Sequence, residues 1–358
     1  MQLLAVIVVI VAYNGPAAAG AHDNQFWRRL SPSNGELSSF VNALIVYNGD
    51  LIAAGGFATA GRDPVNSIAR WDGMRWKPLG GGMDAPVWCL AVYKGELIAG
   101  GEFRNAGGVA ANCIARWDGS KWRPLGYGIR GGSKSEWVHV TAMVEYNGDL
   151  VVGGRFSHAG NASIQSMARW NGKDWQDMTY ELWGDVRAFT VFKGKLYAAG
   201  DISEPSSGNV ISQFNGVDHW SVLVGGAPED EVDAMLPFGD SLVVAGKFSR
   251  IGGKEAIGIA CYDGTTWQPL GSGLGQYVWC LSLLDSNLVA AGANGVIATW
   301  NGATWDPIGD GTNGDVNALL EFDRQLIVAG NFTRAGQTRA DHIAVWDQSA
   351  AIANESDK

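Results

Sequence analysis

Five histidines, His22, His139, His158, His219 and His342, are the side chains of this chain best suited to proton transfer or metal binding. None pairs with another at a metal-ligand spacing, so no metal and no cofactor are expected. No G-x-S-x-G elbow, phosphate-binding loop or D-x-D-x-D-G calcium loop occurs. Asp233, Arg187 and His139 are the first suspects for catalysis, because paired carboxylates serve glycan hydrolysis or lysis when separation and environment suit. No convergent set of catalytic groups is legible, so recognition is the favoured chemistry. Four tryptophans carry that reading: Trp88, Trp137, Trp183 and Trp279.

These residues sit inside a repeat. A Val-x-(Ala/Cys)-(Leu/Met/Phe) motif starts at Val41, Val87, Val140, Val186, Val232, Val278 and Val316, at intervals of 46, 53, 46, 46, 46 and 38 residues. Four short apolar runs per unit at this period predict a β-propeller of four-stranded antiparallel blades, seven in number. Strands a and b are joined by pairs such as Asn48-Gly49, Lys94-Gly95 and Asn147-Gly148, which suit two-residue type I′ turns. Strands c and d follow the same hairpin logic around Asp72-Gly73, Asp118-Gly119, Asn171-Gly172, Asn215-Gly216, Asp263-Gly264 and Asn301-Gly302. The glycine four residues after Leu51, Leu97 and their equivalents is expected where sheets approach closely.

Aligning the units separates frame from exception. In strand a the third residue is Ala or Cys and the fourth is large and apolar. The second varies: Asn42, Trp88, Thr141, Arg187, Asp233, Trp279 and Asn317. With short a–b and c–d turns, the longer b–c and d–a loops share one face of the disc. A residue that varies there, near the channel mouth, is where a binding site is expected. The longest d–a loop, 127–138, adds Arg130, Lys134, Glu136 and Trp137, and acidic residues (Asp84, Asp185, Glu229, Asp230, Glu231, Asp310 and Asp315) add to the face.

The seventh unit lacks strand d. Phe26 to Leu30 matches strand d elsewhere, so the N-terminal strand is expected to complete the last blade beside Trp346 and close the ring. Before it, Leu3 to Ala12 is apolar and small residues end in Ala19-Gly20-Ala21, so residues 1–21 read as a signal peptide, with a decayed repeat as the alternative. Residues 22–347 form the propeller, and 348–358 are a polar tail. The stretch is too short to span a bilayer, and no later segment is a candidate.

The Gly-Gly pairs ending strand b (Gly55-Gly56, Gly100-Gly101, Gly153-Gly154) and the aromatics bracketing the c–d turn (Trp71/Trp76, Trp117/Trp122, Trp170/Trp175) resemble the kelch and galactose-oxidase-like propellers. The IARWDG-x-x-W-x-x-LG-x-G segments at Ile68–Gly82 and Ile114–Gly128 resemble secreted propeller-repeat proteins more closely. The resemblance implies the fold and no single activity. The copper chemistry of galactose oxidase is excluded by the histidine spacing.

The remaining features fit this reading. A formal charge of −10 argues against nucleic-acid partners. Trp-Asp at 71/72, 117/118 and 346/347 belongs to the turns rather than to a WD40 signature. Cys89, Cys113, Cys261 and Cys280 read as buried free thiols, since no pair joins adjacent blades at matching depth. Sequons stand at Asn161, Asn331 and Asn354. The expectation is a secreted, extracellular or cell-surface binding or scaffold propeller that engages a glycan or a protein, with Asn42, Trp88, Trp137, Trp183, Arg187, Asp233, Trp279 and Asn317 as its site. The alternative is a glycan hydrolase or lyase working at the channel mouth.

Overall fold

A computed structural model describes residues 24–30, 36–133, 137–178, 182–203, 209–226 and 228–347. Residues 1–21, expected as a signal peptide, the tail 348–358, Lys134 and Glu136 lie outside them. The described chain is all-β and contains seven four-stranded antiparallel sheets. We call them blades 1 to 7, in the order of their first strands. Blade 2 is typical, with strands at Val87–Tyr93, Glu96–Gly101, Ile114–Trp117 and Trp122–Pro124. Strand a of each blade touches strand a of the next, and strand a of blade 7 (Asp315–Phe322) touches that of blade 1 (Val41–Tyr47). In blade 7 the fourth strand is Trp27–Arg28, antiparallel to Ile343–Trp346.

The a–b turns follow their sequence. Asn48, Lys94, Asn147 and Lys193 have φ near 50°, and a glycine follows each at positive φ. The c–d turns differ from the two-residue expectation. Trp71 pairs with Trp76 and Trp117 with Trp122, so four residues intervene. The leading Asp or Asn stabilises each loop with its side chain. Asp118 Oδ1 accepts the N–H groups of Ser120 and Lys121, and Asn171 Oδ1 those of Lys173 and Asp174. For Asp72 and Asp118 the local role assigned to the Trp-Asp pairs is therefore this side-chain capping; the turn after Asp347 lies outside the described residues.

Blades are joined by indoles. Trp122, Trp175, Trp220, Trp267 and Trp305, all on strand d, donate to Leu79, Leu125, Met178, Val224 and Leu270 carbonyls of the preceding blade, at 2.7 to 3.3 Å. Trp122, Trp220 and Trp267 are buried, Trp175 and Trp305 half-buried, and with the strand b side chains these rings fill the wedges between sheets. Units four and six depart from the repeat in structure as in sequence. Blades 1, 2, 3, 5 and 7 carry a small hairpin in the b–c loop, such as Asn105–Ala106 with Val109–Ala110. Blade 6 has a single 3-10 turn there, Ala293–Gly295.

Candidate binding site at the channel mouth

The invariant Val and the variable residue after it are set apart by a β-bulge. Val87 faces Gly101 and Cys89 faces Gly100, so Trp88 is an extra residue without a partner. The same shift recurs at Asn42, Thr141, Arg187, Asp233, Trp279 and Asn317. A bulge re-aims one side chain while the ladder on either side stays in register. This is why the position varies inside a fixed frame. It also corrects the role expected of the strand b glycines. A Cβ at Gly101 or Gly246 would collide with the carbonyl oxygen of Pro86 or Glu231, which approaches from strand a of the same blade at the bulge. The glycines pressed by the next sheet are Gly100, against Val140, and Gly153, against Val186.

All seven bulge residues line one cavity of about 390 Å³, with Trp137, His139, Asp185 and Lys247 completing its wall. Seven of the eight residues expected from sequence are thus brought together. Trp183 is not; it is about half exposed (46%) and pairs with Ser203 at the start of its strand. Trp137 stays 57% exposed at the rim, its ring 4.5 Å from that of His139. Of the other residues on this face, Arg130 donates to the Gly160 carbonyl and Asp84 caps the N–H groups of Arg104 and Asn105. Both stabilise loops. Lys247 was missed by sequence reading. Its signal is a second variable slot, the residue after the strand b glycine, held by Glu102, Arg155, Asp201 and Lys247 in blades 2 to 5.

The polar wall is an ion-pair chain. Arg187 Nη1 donates to Asp233 Oδ1 at 2.9 Å, and its Nη2 lies 2.5 Å from Glu231 Oε2. Lys247 Nζ reaches Glu231 Oε1 at 2.6 Å. His139 is almost fully buried, and its Nε2 meets both oxygens of Asp185 at 3.0 and 3.1 Å. Burial raises the Asp233 carboxyl above the usual aspartate range, and Arg187 only partly opposes it. Burial would lower the Arg187 guanidinium, but Asp233 and Glu231 more than offset this and raise it. No group of His, Cys, Asp and Glu among the described residues is arranged to hold a metal.

The remaining bulge residues join the blades. Asn42, Thr141 and Asn317 donate to the Val carbonyl of the following blade: Val87, Val186 and Val41 respectively. Trp88 and Trp279 do not. In those two blades the small third residue is Cys, and Cys89 and Cys280 direct their thiols at Val140 and Val316 oxygens, 3.5 and 3.7 Å away. The cysteine takes over the contact that Asn or Thr makes elsewhere, leaving the indole to the cavity. All four cysteines are free, and Cys89, Cys113 and Cys280 are buried as expected; Cys261 is only half-buried.

Fold and site together define a β-propeller with a polar, aromatic cavity at one end of its channel. No family model matches the chain, and no curated protein does. Solved structures similar to it include β-propellers. The WD40 propeller domain of Doa1 is 13% identical, with a TM-score of 0.59, over 90% of this chain and 97% of that one. YCF48 bound to D1 peptide is 16% identical, with a TM-score of 0.56, over 88% and 95%. The computationally designed Ika8 protein is 16% identical, with a TM-score of 0.54, over 89% and 99%. At these identities the likeness establishes the fold alone.

Proposed function

We propose that the chain is a non-catalytic binding or scaffold protein that holds a protein or glycan ligand at its channel mouth. The observation that carries this reading is the convergence of all seven bulge residues on one cavity. The frame around them is nearly constant, so the sequence differs from blade to blade mainly where a ligand would be met. The reading includes a closed seven-bladed ring over residues 22–347, completed by the N-terminal strand, with a polar tail at 348–358. It also places the protein outside the cell or at its surface, on the strength of the leader-like residues 1–21. The kelch-like affinity is part of the same reading and rests on the Gly-Gly and aromatic pairs. Among the described residues no helix is long and apolar enough to cross a membrane. The acidity of the chain disfavours nucleic acid. The peptide complex of YCF48 is one case of a propeller of this shape used for binding.

The test combines glycan-array and pull-down screens on the secreted protein with Trp88→Ala/Trp279→Ala. Loss of a detected interaction supports the mouth as the site. Interactions that all survive the double variant sink it.

One observation favours the alternative, a glycan hydrolase or lyase: Arg187, Asp233 and a second carboxylate, Asp185, do line one cavity. Asp233 would be the acid, since its carboxyl is raised by burial. Glycan cleavage lost in Asp233→Asn with binding retained would establish that reading in place of the first.

A further inference from the structure

We infer that the mouth cavity takes an uncharged sugar stacked on Trp88 or Trp279, an inference that rests on the mouth being the binding site. Two independent features of the wall point to this class. The first is charge. The ionised groups there are already engaged: Arg187 with Asp233 and Glu231, Lys247 with Glu231, and Asp185 in hydrogen bonds with the His139 ring. An incoming anion or cation would have to break one of these short pairs, leaving its partner uncompensated in a half-buried site. A hydroxyl carries no such cost. It can donate to a carboxylate and accept from Arg187 or Lys247 while the pairs stay intact, because these groups have further lone pairs and protons.

The second feature is the preparation of the indoles. Trp88 is fixed before any ligand arrives: its Nε1 donates to Glu102 Oε1 at 2.8 Å, and Phe40 stacks against it at 6.3 Å between centroids. A ring already locked loses little entropy when it is covered. Both Trp blades have moved the inter-blade contact onto a cysteine, as described above. Trp88 and Trp279 belong to blades 2 and 6, and the blades between them differ in character. Blades 7 and 1 bring only the amides of Asn317 and Asn42 to the cavity, blade 3 brings Trp137, His139 and Thr141, and blades 4 and 5 bring the ionic groups. Flat apolar walls flanking a field of hydrogen-bonding groups suit a pyranose, which has apolar C–H faces and a polar rim.

The experiment is titration calorimetry of the whole protein. One panel holds neutral oligosaccharides built from glucose, mannose, galactose and xylose. A second holds oligogalacturonides, and a third oligolysine. The expected result is saturable binding of a neutral member, changed by less than about twofold between low and physiological salt, since no ions are exchanged. Trp88→Leu and Trp279→Leu each keep apolar bulk without the flat ring; at least one should weaken binding by about tenfold or more, while the Phe variant at the same position should stay within about threefold. Met74→Ala, on an exposed c–d turn, should change nothing. Melting curves on each variant separate misfolding from lost contact. The inference falls if no neutral glycan binds, if only charged probes bind with steep salt dependence, or if Trp88→Leu and Trp279→Leu both bind like the parent. A protein partner lost in Trp88→Ala, with no neutral glycan bound, would overturn the sugar and leave the mouth as the site.

Discussion

Trp27 lies directly opposite Trp346 in register, with ring centroids 4.9 Å apart and planes at 64°, although the two stand at opposite ends of the described chain. Phe26 reaches the same indole at 5.3 Å. Blade 7 is therefore completed by noncovalent aromatic contact rather than by chain continuity. Five strand d indoles reach a carbonyl of the preceding blade, but the Nε1 atoms of Trp27 and Trp76 are buried with no partner among the described residues. Trp27 lies on the N-terminal strand itself, and Trp76 on the fourth strand of blade 1, the next blade.

Deleting residues 22–30, or making Trp27→Ala, should lower stability strongly, by about 3–5 kcal/mol for the point variant, as expected for a buried tryptophan. Native-state hydrogen exchange should show blades 7 and 1 opening first. An unchanged melting temperature in the deletion, or exchange that begins in blade 3, would remove the clasp from the account.

The cysteine contacts invite a milder test. Cys89→Ala and Cys280→Ala each remove one weak thiol hydrogen bond and should cost about 1 kcal/mol or less. Cys89→Leu overfills the same narrow position and should cost about 1–3 kcal/mol. Burial pushes the Cys89 and Cys280 thiols up, and that of Cys113 to about 12. The native protein should consequently resist a disulfide reagent at neutral pH at all three, and react in denaturant. Chemical denaturation and thiol counting check both halves of the prediction.

How much of this was legible in the sequence follows from what repeats and what does not. The blades, the a–b turns and the strand completing blade 7 leave periodic marks, because each is built from the same local chemistry at every copy. The bulge was invisible as such. Its only trace was that the residue after the Val varied, and the period-2 alternation of a strand gives no sign that one residue is unpaired. Lys247 was hidden because its pairing with Glu231 is tertiary. Trp183 was misplaced because an aromatic just before a repeat boundary looks alike whether it faces the channel or the solvent. The glycines of strand b were read as sheet contacts because their real neighbour, the carbonyl before the bulge, is set by a backbone kink.

The turn carboxylates predict the acid limb of stability. Asp72, Asp118 and Asp263 are held far below the usual range by hydrogen bonds from their own loops and, for Asp72 and Asp118, by Lys77 and Arg123. A lowered folded value means the stabilisation is present above the unfolded value and is lost as pH falls through the folded one. Replacing all three with Asn keeps the acceptor oxygen, as Asn171, Asn215 and Asn301 do already. The triple Asn variant should fold normally at neutral pH and lose less stability on acidification than the parent. An acid limb identical to the parent's would assign acid unfolding to other carboxylates.

Asp233 should behave in the opposite sense. Its folded carboxyl is raised, so between the unfolded value and the raised one the folded state holds more proton, and stability falls as pH rises through that window. Above the window the ionised group stays in place at a net cost, because burial outweighs the attraction of Arg187. Arg187 keeps Glu231 when Asp233 is neutralised, at 2.5 Å, so no cation is stranded. Asp233→Asn should therefore be as stable as the parent or more so at pH 7, and should flatten the decline above pH ~4. Glu231→Gln makes the contrast, because Arg187 and Lys247 both lean on that carboxylate and one of them would lose its only anion. It should destabilise at every pH above the carboxylate range, by about 1–3 kcal/mol. Urea midpoints measured from pH 4 to 8 separate the two variants. If Asp233→Asn unfolds more easily at pH 7 than Glu231→Gln, the ion-pair chain is anchored on Asp233 rather than on Glu231.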